Sequence, residues 1–244
     1  MKAIILASGV GRRLRPLTDR YPKSLLKVGG RTLIDYQLDA LAKHGVRDIV
    51  ITTGHLGKKL EEYVRKTGAP VQFVNNPEYE STNYIYSLWL TKGLIDDDII
   101  LLHSDLVFDD VLIKKLLDAQ GNRVLVNRHI LSPEKDFKAL IKRGRVLRIG
   151  VSLSGPGTYF CAPLYKFSKT DFLLWLDKIE DFVTKGKVNC YAEDALNKIS
   201  DDVLIRPLYF KEFCMEIDTK AELEKARAYI RSESGGTRLR PNSG

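Results

Sequence analysis

The sequence predicts an α/β protein with a doubly wound, mostly parallel sheet and a small antiparallel extension. Short apolar runs alternate with amphipathic helical segments through the first half of the chain, which is typical of repeated strand–helix–strand units. In the second half, two short alternating runs meet at Arg143–Gly144, as expected for a hairpin. The 244 residues are enough to bury the core of one large domain.

Four apolar runs in the first half predict buried parallel strands, because each is short and ends at polar or turn residues. In chain order they are Lys2–Ser8, Asp48–Gly54, Val71–Asn76 and Asp97–Asp105. Helices are predicted between and after these strands, where apolar side chains recur at helical spacing. The helical segments are Leu33–Gly45, Lys58–Gly68, Asn83–Leu94 and Asp110–Gly121, with Ser81 or Thr82 expected to cap the third.

The second half is predicted to extend the same sheet and to add a lid on its ligand side. After the hairpin, the expected strands lie near Thr158–Tyr165 and over Asp202–Phe210, and the expected helices lie over Lys169–Val183, Tyr191–Ile199 and Lys220–Ser232. We therefore predict one domain over residues 1–231. The polar, glycine-rich segment 232–244 is expected to be a mobile tail.

Composition favours a soluble cytoplasmic protein. Hydrophobic residues make up 44% and charged residues 29%, and no apolar run reaches the roughly 18 residues that a membrane span requires. The chain begins with a strand-like run and an arginine-rich loop, which do not form a signal peptide. Cys161, Cys190 and Cys214 show neither paired spacing nor a metal pattern, so we expect free thiols in a reducing compartment.

The formal net charge of +8 has three interpretations: a solubilising basic surface, a nucleic-acid interface, or a cleft for a small, highly charged anion. No stretch interleaves aromatic with basic residues, and no nucleic-acid motif is present, so we expect no nucleic-acid partner. The loop after the first strand favours an anion such as a nucleoside triphosphate.

That loop, LASGVGRRLRPLTDRYPKSLL, spans Leu6–Leu26. In open α/β sheets, ligands bind at the carboxyl ends of strands, so a loop directly after strand one lies in the right place. Gly9 and Gly11 would let the backbone approach a ligand and direct N–H groups at it. The cations that would neutralise phosphate charge are Arg12, Arg13, Arg15 and Lys23.

Two common phosphate-binding motifs do not fit this loop. A dinucleotide fingerprint requires a third glycine, and Leu14 stands in its place; a P-loop requires Gly-Lys-Ser/Thr, which is absent. Pro16 and Pro22 stiffen a segment that resembles a lid over a triphosphate. A solvated basic loop without a ligand remains the structural alternative.

The stretch LASGVGRRLRPLTDRYPKSLLKVGGRTLID resembles the signature of nucleotidyltransferases that join nucleoside triphosphates to phosphorylated sugars or alcohols. Ser8 departs from the pattern, where the family more often has alanine or glycine. Further stretches resemble the phosphocholine and inositol-1-phosphate cytidylyltransferases: NPEYESTNYIYSLWL, DFKALIKRGRVLRIG, YAEDALNKI and MEIDTKAELEKA. The resemblance extends to about residue 230 and implies a Rossmann-like nucleotidyltransferase fold.

This resemblance implies a nucleotide site formed by Leu6, Ala7, Ser8, Gly9, Gly11, Arg12, Arg13, Lys23, Asn83 and Ser87. Lys23 would hold the β- or γ-phosphate, and Lys23, Arg12 and Lys138 would be the catalytic residues. Lys138 matches a family lysine that contacts the acceptor phosphate or the transferring α-phosphate. From the residues alone, Lys138 is an ordinary strand lysine, and Asn83 and Ser87 begin a helix.

Nucleotidyl transfer requires positioning and charge neutralisation, with no protein nucleophile. Mg²⁺ suits this chemistry, held by one or two carboxylates and by phosphate oxygens. Asp105 ends the fourth predicted strand at the binding edge, and Asp218 precedes the closing helix. These positions together with the family resemblance make both residues predicted metal ligands. A helix-capping role is the alternative, for Asp218 above all.

The acceptor pocket is predicted from Lys138, Tyr191, Glu193 and Glu216. A quaternary ammonium requires aromatic faces and a nearby carboxylate, which this set supplies. Trp89 lies at helical spacing with Ile85 and is better explained as a core residue. An inositol phosphate would instead require hydrogen bonds, which the same acids accept, so the acceptor stays open at this point.

The sequence thus predicts a CTP-dependent cytidylyltransferase that transfers CMP to a small phosphorylated alcohol and releases pyrophosphate. Phosphocholine is the first candidate acceptor and inositol 1-phosphate the second. Further alternatives are a sugar-1-phosphate uridylyl- or thymidylyltransferase and a catalytically inactive nucleotide-sensing subunit. The presence of Gly9, Gly11, Lys23 and Asp105 argues against the inactive subunit. A homodimer is left open.

Overall fold

The computed structural model describes residues 1–130 and 134–235. Its strands are β1 Lys2–Leu6, β2 Lys27–Val28, β3 Arg31–Thr32, β4 Asp48–Thr53, β5 Val71–Asn75, β6 Ile99–His103, β7 Leu106–Phe108, β8 Asn122–Asn127, β9 Lys138–Lys142, β10 Arg145–Gly150, β11 Thr158–Phe167, β12 Ile205–Tyr209 and β13 Cys214–Glu216. Its helices are α1 Leu17–Arg20, α2 Leu33–Lys43, α3 Gly57–Lys66, α4 Tyr84–Trp89, α5 Val111–Asp118, α6 Lys169–Thr184, α7 Ala192–Leu196 and α8 Lys220–Gly235.

The main sheet confirms the predicted α/β class. Its strand order is β5-β4-β1-β6-β11-β8-β12-β10-β9. The four strands from the first half run parallel, whereas β11 runs antiparallel to both β6 and β8, and β10 runs antiparallel to β9 and β12. The sheet is therefore mixed. The five strands of the extension outnumber the four parallel strands of the first half, and within the extension β8 and β12 are parallel to each other.

The extension curls on itself, because β11 also pairs with β9 through Thr158↔Leu140 and Phe160↔Lys138. The inner face of this curl joins the apolar core through Ala139, Val146 and Cys161. Two small antiparallel pairs, β2–β3 and β7–β13, lie outside the main sheet. The β7–β13 pair brings the segment before α8 next to the end of β6.

Helices cover both faces of the sheet, as the doubly wound prediction requires. Apolar side chains of α2, α3 and α5 pack on one face, and those of α4, α6 and α7 pack on the other. Trp89 packs partly buried against the second core, which confirms its assignment as a core residue. The three cysteines are free, as predicted.

Several local features differ from the sequence prediction. β8 and β13 were not predicted, because one directly follows a helix and the other has three residues. α4 is capped by Asn83, whose side chain accepts from the Tyr84 N–H, and not by Ser81 or Thr82. The hairpin at Arg143–Gly144 is confirmed, with positive φ at both residues as a type I′ turn requires.

α8 continues to Gly235, so its end lies inside the segment predicted as a tail. Residues 236–244 lie outside the described residues. Among the helices of the described ranges, none has the length and apolar character needed to cross a bilayer.

Candidate active site

The site lies at the carboxyl edge of β1, β4 and β6. Leu6, the last residue of β1, stands in register with Thr52 of β4 and His103 of β6. The backbone N–H of Ser104 donates to the carbonyl of Leu6 at 3.0 Å, which fixes the end of β6 beside the start of the arginine-rich loop. Because β1 and β6 are parallel neighbours, the loop after β1 and Asp105 after β6 lie at the same edge of the sheet.

The loop after β1 is fastened to the body of the protein by short polar contacts. The Thr18 hydroxyl donates to the carbonyl of Gly11 at 2.9 Å, and the ring of His55 lies 2.8 Å from the carbonyl of Thr18. Gly11 has a φ of +65°, a conformation that favours glycine. The loop therefore holds a defined shape over the edge of the sheet.

A close backbone approach behind the loop depends on Gly54, a residue that the sequence did not single out. The His55 N–H donates to the carbonyl of Ser8 at 3.1 Å. A Cβ at Gly54 would lie 2.7 Å from the Ser8 oxygen and 2.7 Å from the Cβ of Tyr79, which is too close for either atom. Gly54 lets the chain after β4 lie directly against the loop.

Two adjoining compartments open at this edge. The first, here called the loop compartment, is lined by Leu6, Ala7, Ser8, Gly9, Gly11, Arg12, Arg13, Lys23, Asn83, Tyr84, His103, Ser104, Asp105 and Asp218. The second, here called the side compartment, shares the loop glycines and is lined by Ser8, Gly9, Val10, Gly11, Arg12, Asn76, Tyr79, Glu80, Thr82, Asn83, Tyr84, Ser87 and Asn189. Every residue that the sequence predicted for nucleotide binding or metal binding lines at least one of them.

A lysine and two aspartates form the charged centre of the loop compartment. Lys23 Nζ lies 2.7 Å from Asp105 Oδ2 and 2.6 Å from Asp218 Oδ1. Burial by itself would lower the pKa of Lys23, but the two carboxylates outweigh it, and that pKa is raised. The lysine is therefore a fixed positive charge held between two negative ones.

Two further cations lie against Asp218. The Arg13 guanidinium donates to Asp218 Oδ2 at 2.7 Å, and Lys135 Nζ lies 3.6 Å from the same oxygen. Burial would raise the pKa of Asp218, but Lys23, Arg13 and Lys135 hold it below its usual range. The carboxylate is ionised and available for ionic contacts.

Asp218 is not the side chain that caps α8. The Thr219 hydroxyl accepts from the Glu222 N–H at 3.3 Å, and Glu222 accepts in return from the Thr219 N–H at 2.9 Å. This reciprocal pair is a capping box. Because Thr219 and Glu222 cap the helix, the Asp218 carboxylate remains directed to the compartment.

The donor set fits a magnesium ion. Asp105 Oδ1 is buried and has no hydrogen-bond partner among the described residues. Within residues 1–130 and 134–235, no group of three His, Cys, Asp or Glu side chains is placed to hold a metal by itself. Mg²⁺ commonly uses only one or two carboxylates, with phosphate oxygens and water completing its shell. Asp105 and Asp218 meet that requirement.

Glu216 lies on β13 beside this centre but does not line either compartment. Burial, together with the negative charges of Asp105, Asp136 and Asp218, raises the pKa of Glu216 well above its usual value. Its Oε1 is buried without a hydrogen-bond partner in the described part of the chain. Glu216 is therefore a buried acid next to Asp105 and Asp218 whose protonated form is favoured.

Glu193 is likewise placed behind the cleft wall. It is 1% exposed and accepts hydrogen bonds from the hydroxyls of Tyr84 and Tyr165, the latter at 2.7 Å. Tyr84 itself lines both compartments, and its ring packs edge-on against His103 with centroids 4.6 Å apart. Glu193 thus holds the wall residue Tyr84 in position through a hydrogen bond outside the two compartments.

Tyr191 belongs to an aromatic group on the same side. Its ring centroid lies 6.1 Å from that of Tyr84 and 5.0 Å from that of Phe137. Tyr191 lines neither compartment, so the structure places it next to the cleft wall.

The structure does not bring Lys138 to the cleft. Its Nζ donates to the carbonyls of Glu134, Asp136 and Val151 at 2.7–3.0 Å. Ala139, the next residue on β9, is fully buried in the core. Successive side chains of a strand point to opposite faces, so Lys138 lies on the outer face. The catalytic role of Lys138 stays a prediction, and in the structure its ammonium contacts backbone carbonyls and lines neither compartment.

Sequence reasoning missed several wall residues: Val10, Asn76, Tyr79, Glu80, Thr82, Tyr84, His103, Ser104 and Asn189. His103 and Ser104 directly precede Asp105, and Tyr84 follows Asn83, so adjacency to predicted residues was the available signal. Asn189 lies far along the chain, and its position depends on the contact of the Asn83 N–H with the Val188 carbonyl at 2.8 Å. No local pattern indicates such a contact.

Comparison with known proteins gives one family match and several similar relatives. The profile of the family described as Nucleotidyl transferase matches residues 2–130. The choline-phosphate cytidylyltransferase of Streptococcus pneumoniae is 28% identical over 96% of this chain and 100% of its own length. The 2-aminoethylphosphonate cytidylyltransferase of Lancefieldella rimae is 29% identical over 91% of this chain and 89% of its own length.

Among solved structures, the inositol-1-phosphate CTP transferase from T. maritima superposes with a TM-score of 0.80 at 24% identity. The match covers 96% of both chains. This likeness shows that the two chains share a fold.

Proposed function

We propose that this chain, which belongs to the nucleotidyl transferase family, transfers CMP from CTP to a small phosphorylated alcohol, with phosphocholine as the favoured acceptor. The observation that carries the proposal is the Lys23–Asp105–Asp218 centre at the edge of β1 and β6, beside a group of buried acids and aromatic rings. A charged centre of this kind suits a triphosphate, and the acids and rings suit a cationic acceptor.

In the proposed reaction, a phosphate oxygen of the acceptor forms a bond to the α-phosphorus of CTP. The bond from that phosphorus to the oxygen bridging to the β-phosphate breaks, and pyrophosphate leaves with the electron pair. The chain supplies no nucleophile for this step. Its contribution is to hold two anionic reactants in line and to offset their charge.

Each part of the loop compartment has a role in that reaction. Gly9 and Gly11 let the backbone approach the phosphates, and Arg12, Arg13 and Lys23 offset their negative charge. Asp105 and Asp218 would hold Mg²⁺, which, when bound, stabilises charge on the reacting phosphate oxygens. The side compartment would receive the nucleoside, since amide, hydroxyl and carboxylate groups line it.

The cationic acceptor is supported by a buried carboxylate on the aromatic side of the cleft. Glu193 is buried and accepts hydrogen bonds from two tyrosine hydroxyls. Tyr191 and Phe137 add ring faces on the same side. Negative potential and aromatic faces together stabilise a quaternary ammonium. The S. pneumoniae relative carries the corresponding acceptor in its name.

A second cationic acceptor, 2-aminoethylphosphonate, is favoured by the L. rimae relative. It has the same arrangement of one anionic group and one ammonium, but its ammonium has N–H donors. Buried carboxylates would suit those donors, whereas ring faces suit the methylated head of choline. The acceptor screen separates the two.

The test is a pyrophosphate-release assay that pairs each of CTP, UTP, dTTP and GTP with one of four acceptors. The acceptors are phosphocholine, 2-aminoethylphosphonate, inositol 1-phosphate and glucose 1-phosphate. The expected result is turnover with CTP and phosphocholine above every other pair. The Asp105→Asn variant serves as the inactive control.

Three outcomes contradict all or part of the proposal. Turnover of glucose 1-phosphate with UTP or dTTP would indicate a sugar nucleotidyltransferase. Turnover of inositol 1-phosphate with no activity on either cationic acceptor removes the cation pocket and leaves the nucleotide half intact. Nucleotide binding without turnover of any pair would indicate a sensing subunit.

A further inference from the structure

Lys23 occupies the position between the two carboxylates that would hold the metal. Its ammonium touches Asp105 Oδ2 at 2.7 Å and Asp218 Oδ1 at 2.6 Å. The side chains of Lys23, Asp105 and Asp218 are 12%, 18% and 17% exposed. Separating these mostly buried charges without a replacement partner would therefore cost free energy. The Lys23 ammonium thus already offsets one of the two negative charges at the centre of the site.

An ammonium and a divalent cation cannot share this position. Mg²⁺ requires oxygen ligands at about 2.0–2.1 Å, and its charge repels a neighbouring ammonium in a partly buried site. A metal held by both carboxylates therefore requires Lys23 Nζ to move. Asp105 Oδ1, buried and without a partner in the described residues, is the oxygen left for a first contact.

We propose that Lys23 acts as an internal counter-cation for Asp105 and Asp218, and that it leaves them only when a metal–triphosphate complex arrives. The free chain then discriminates against the bare metal ion and accepts the metal together with its nucleotide. This inference rests on the proposed function for the nature of the arriving complex. It assigns Lys23 a role before phosphate binding as well as during it.

The exchange conserves favourable charge contacts. As the complex enters, the ammonium passes from two carboxylates to phosphate oxygens, and the carboxylates pass to the metal. Lys23 begins a single 3-10 turn, Lys23–Leu25, after Pro22, so its long side chain can swing without disturbing a long helix. Arg13 and Lys135 remain on Asp218 and keep that carboxylate in place.

A thermodynamic consequence follows. If Lys23 must leave before the metal binds, then metal and triphosphate each raise the affinity of the chain for the other, by the same factor. Removing the ammonium takes away the competitor of the metal. The variant chain should bind a bare divalent ion that the natural chain binds poorly.

The experiment measures Mn²⁺ binding to the full chain without nucleotide, by the electron paramagnetic resonance signal of free Mn²⁺. Lys23→Met keeps a flexible, uncharged side chain of similar length and is expected to bind Mn²⁺ at least about thirtyfold more tightly than the natural chain. Arg13→Met is the matched control, since it removes a cation from Asp218 that does not touch Asp105. It is expected to change Mn²⁺ affinity less than about fivefold.

Two more variants define the site. Lys23→Arg keeps the charge and should bind Mn²⁺ as poorly as the natural chain. Lys23→Met combined with Asp105→Asn should lose the gained affinity, because one of the two carboxylates is gone. If Lys23→Met does not fold, as judged by its thermal melt, Lys23→Gln replaces it in the same comparison.

The proposal is overturned if Lys23→Met gains no more Mn²⁺ affinity than Arg13→Met, or if the natural chain already binds Mn²⁺ as tightly as Lys23→Met. The acceptor screen fails or succeeds separately. A chain that turns over CTP but shows no gain in Lys23→Met overturns only the counter-cation role. A chain that shows the gain but turns over no acceptor overturns only the proposed activity.

Discussion

The loop side and the aromatic side of the cleft are built in opposite ways. On the loop side, one continuous segment after β1 meets two strand ends, and charged side chains line the open space directly. On the aromatic side, Tyr84, Glu193 and Tyr165 come from α4, α7 and β11, and they meet through buried hydrogen bonds. The loop side thus presents charged side chains directly to the cleft. The aromatic side holds its wall residue Tyr84 in position through contacts that lie outside the cleft.

The difference between the two sides predicts what a substitution on each side will affect. In the proposed function, phosphate recognition would depend on groups that touch the ligand, so single substitutions there should alter chemistry and leave the fold intact. Acceptor recognition would depend on side chains held by others, so substitutions there should act through affinity for one substrate.

The largest effect is expected from Asp105→Asn. The change keeps the shape of the side chain but removes the negative charge of a proposed metal ligand. We expect kcat to fall on the order of a thousandfold or more, since the metal stabilises charge in the transferring phosphate. Steady-state pyrophosphate release measures this, with circular dichroism as the check on folding.

A matched control lies in the loop after β1. Asp19 pairs with Arg15 on the outside and lines neither compartment. Asp19→Asn should leave kcat within about threefold, as expected for an exposed ion pair. Near-normal turnover of folded Asp105→Asn at ordinary Mg²⁺ would remove Asp105 from the metal site.

The next effect separates two glycines of the loop side. Gly54→Ala places a methyl group 2.7 Å from the Ser8 oxygen and is expected to destabilise the chain by about 1–3 kcal/mol. A methyl group at Gly9 meets nothing within 4 Å, so Gly9→Ala should change the unfolding free energy by less than about 1 kcal/mol. Urea unfolding measures both.

Gly9→Ala should instead raise KM for CTP, because the methyl group narrows a compartment proposed to hold phosphates. Equal stability losses in the two variants would show that Gly9 is structural. Unchanged KM in Gly9→Ala would show that the backbone there does not approach the nucleotide.

Much of the loop side could be predicted from sequence, because its residues are close together in the chain or end predicted strands. The place of the loop after β1, its glycines and its charge indicated Arg12 and Lys23. The metal role of Asp105 rested on its place at a strand end together with the family resemblance. Gly54 could not be predicted, because its close approach to Ser8 and Tyr79 is a contact between distant segments. A glycine after a strand has many ordinary reasons to be there.

The aromatic side was predicted less well for a physical reason. The resemblance indicated Lys138, and the chemistry of a cationic acceptor indicated Glu193. In the structure the buried Glu193 accepts a hydrogen bond from Tyr84, and strand alternation turns Lys138 outward. Phe137, Ala139 and Ile141 lie on the inner face. Their alternation with Lys138 along the strand already indicated that Lys138 points to the outer face. Domain extent remains a prediction, since residues 236–244 are outside the described chain.

A smaller effect is expected on the aromatic side. Tyr191→Leu removes one ring face near the buried acids, and loss of a cation–π contact costs about 0.5–2 kcal/mol. KM for phosphocholine should therefore rise by up to about thirtyfold, whereas KM for CTP stays nearly constant. Tyr21→Leu, at an exposed tyrosine of the loop, is the control and should change neither value.

The two KM values decide between the halves of the cleft. A rise in KM for CTP equal to that for phosphocholine would mean that Tyr191 supports the whole cleft and not the acceptor alone. No change in either would place the acceptor elsewhere.

The smallest effect concerns stability and pH at Glu216. Burial and the charges of Asp105, Asp136 and Asp218 raise the pKa of Glu216 above its ordinary value of 4.5. The unfolded chain therefore loses this proton at lower pH than the folded chain, and stability falls as pH rises from 4.5 through the folded pKa. Glu216→Gln carries no such proton, so its melting temperature should exceed that of the natural chain by more at about pH 8 than at about pH 5. A Glu216→Gln difference that does not grow with pH would mean that the folded chain ionises Glu216 without penalty.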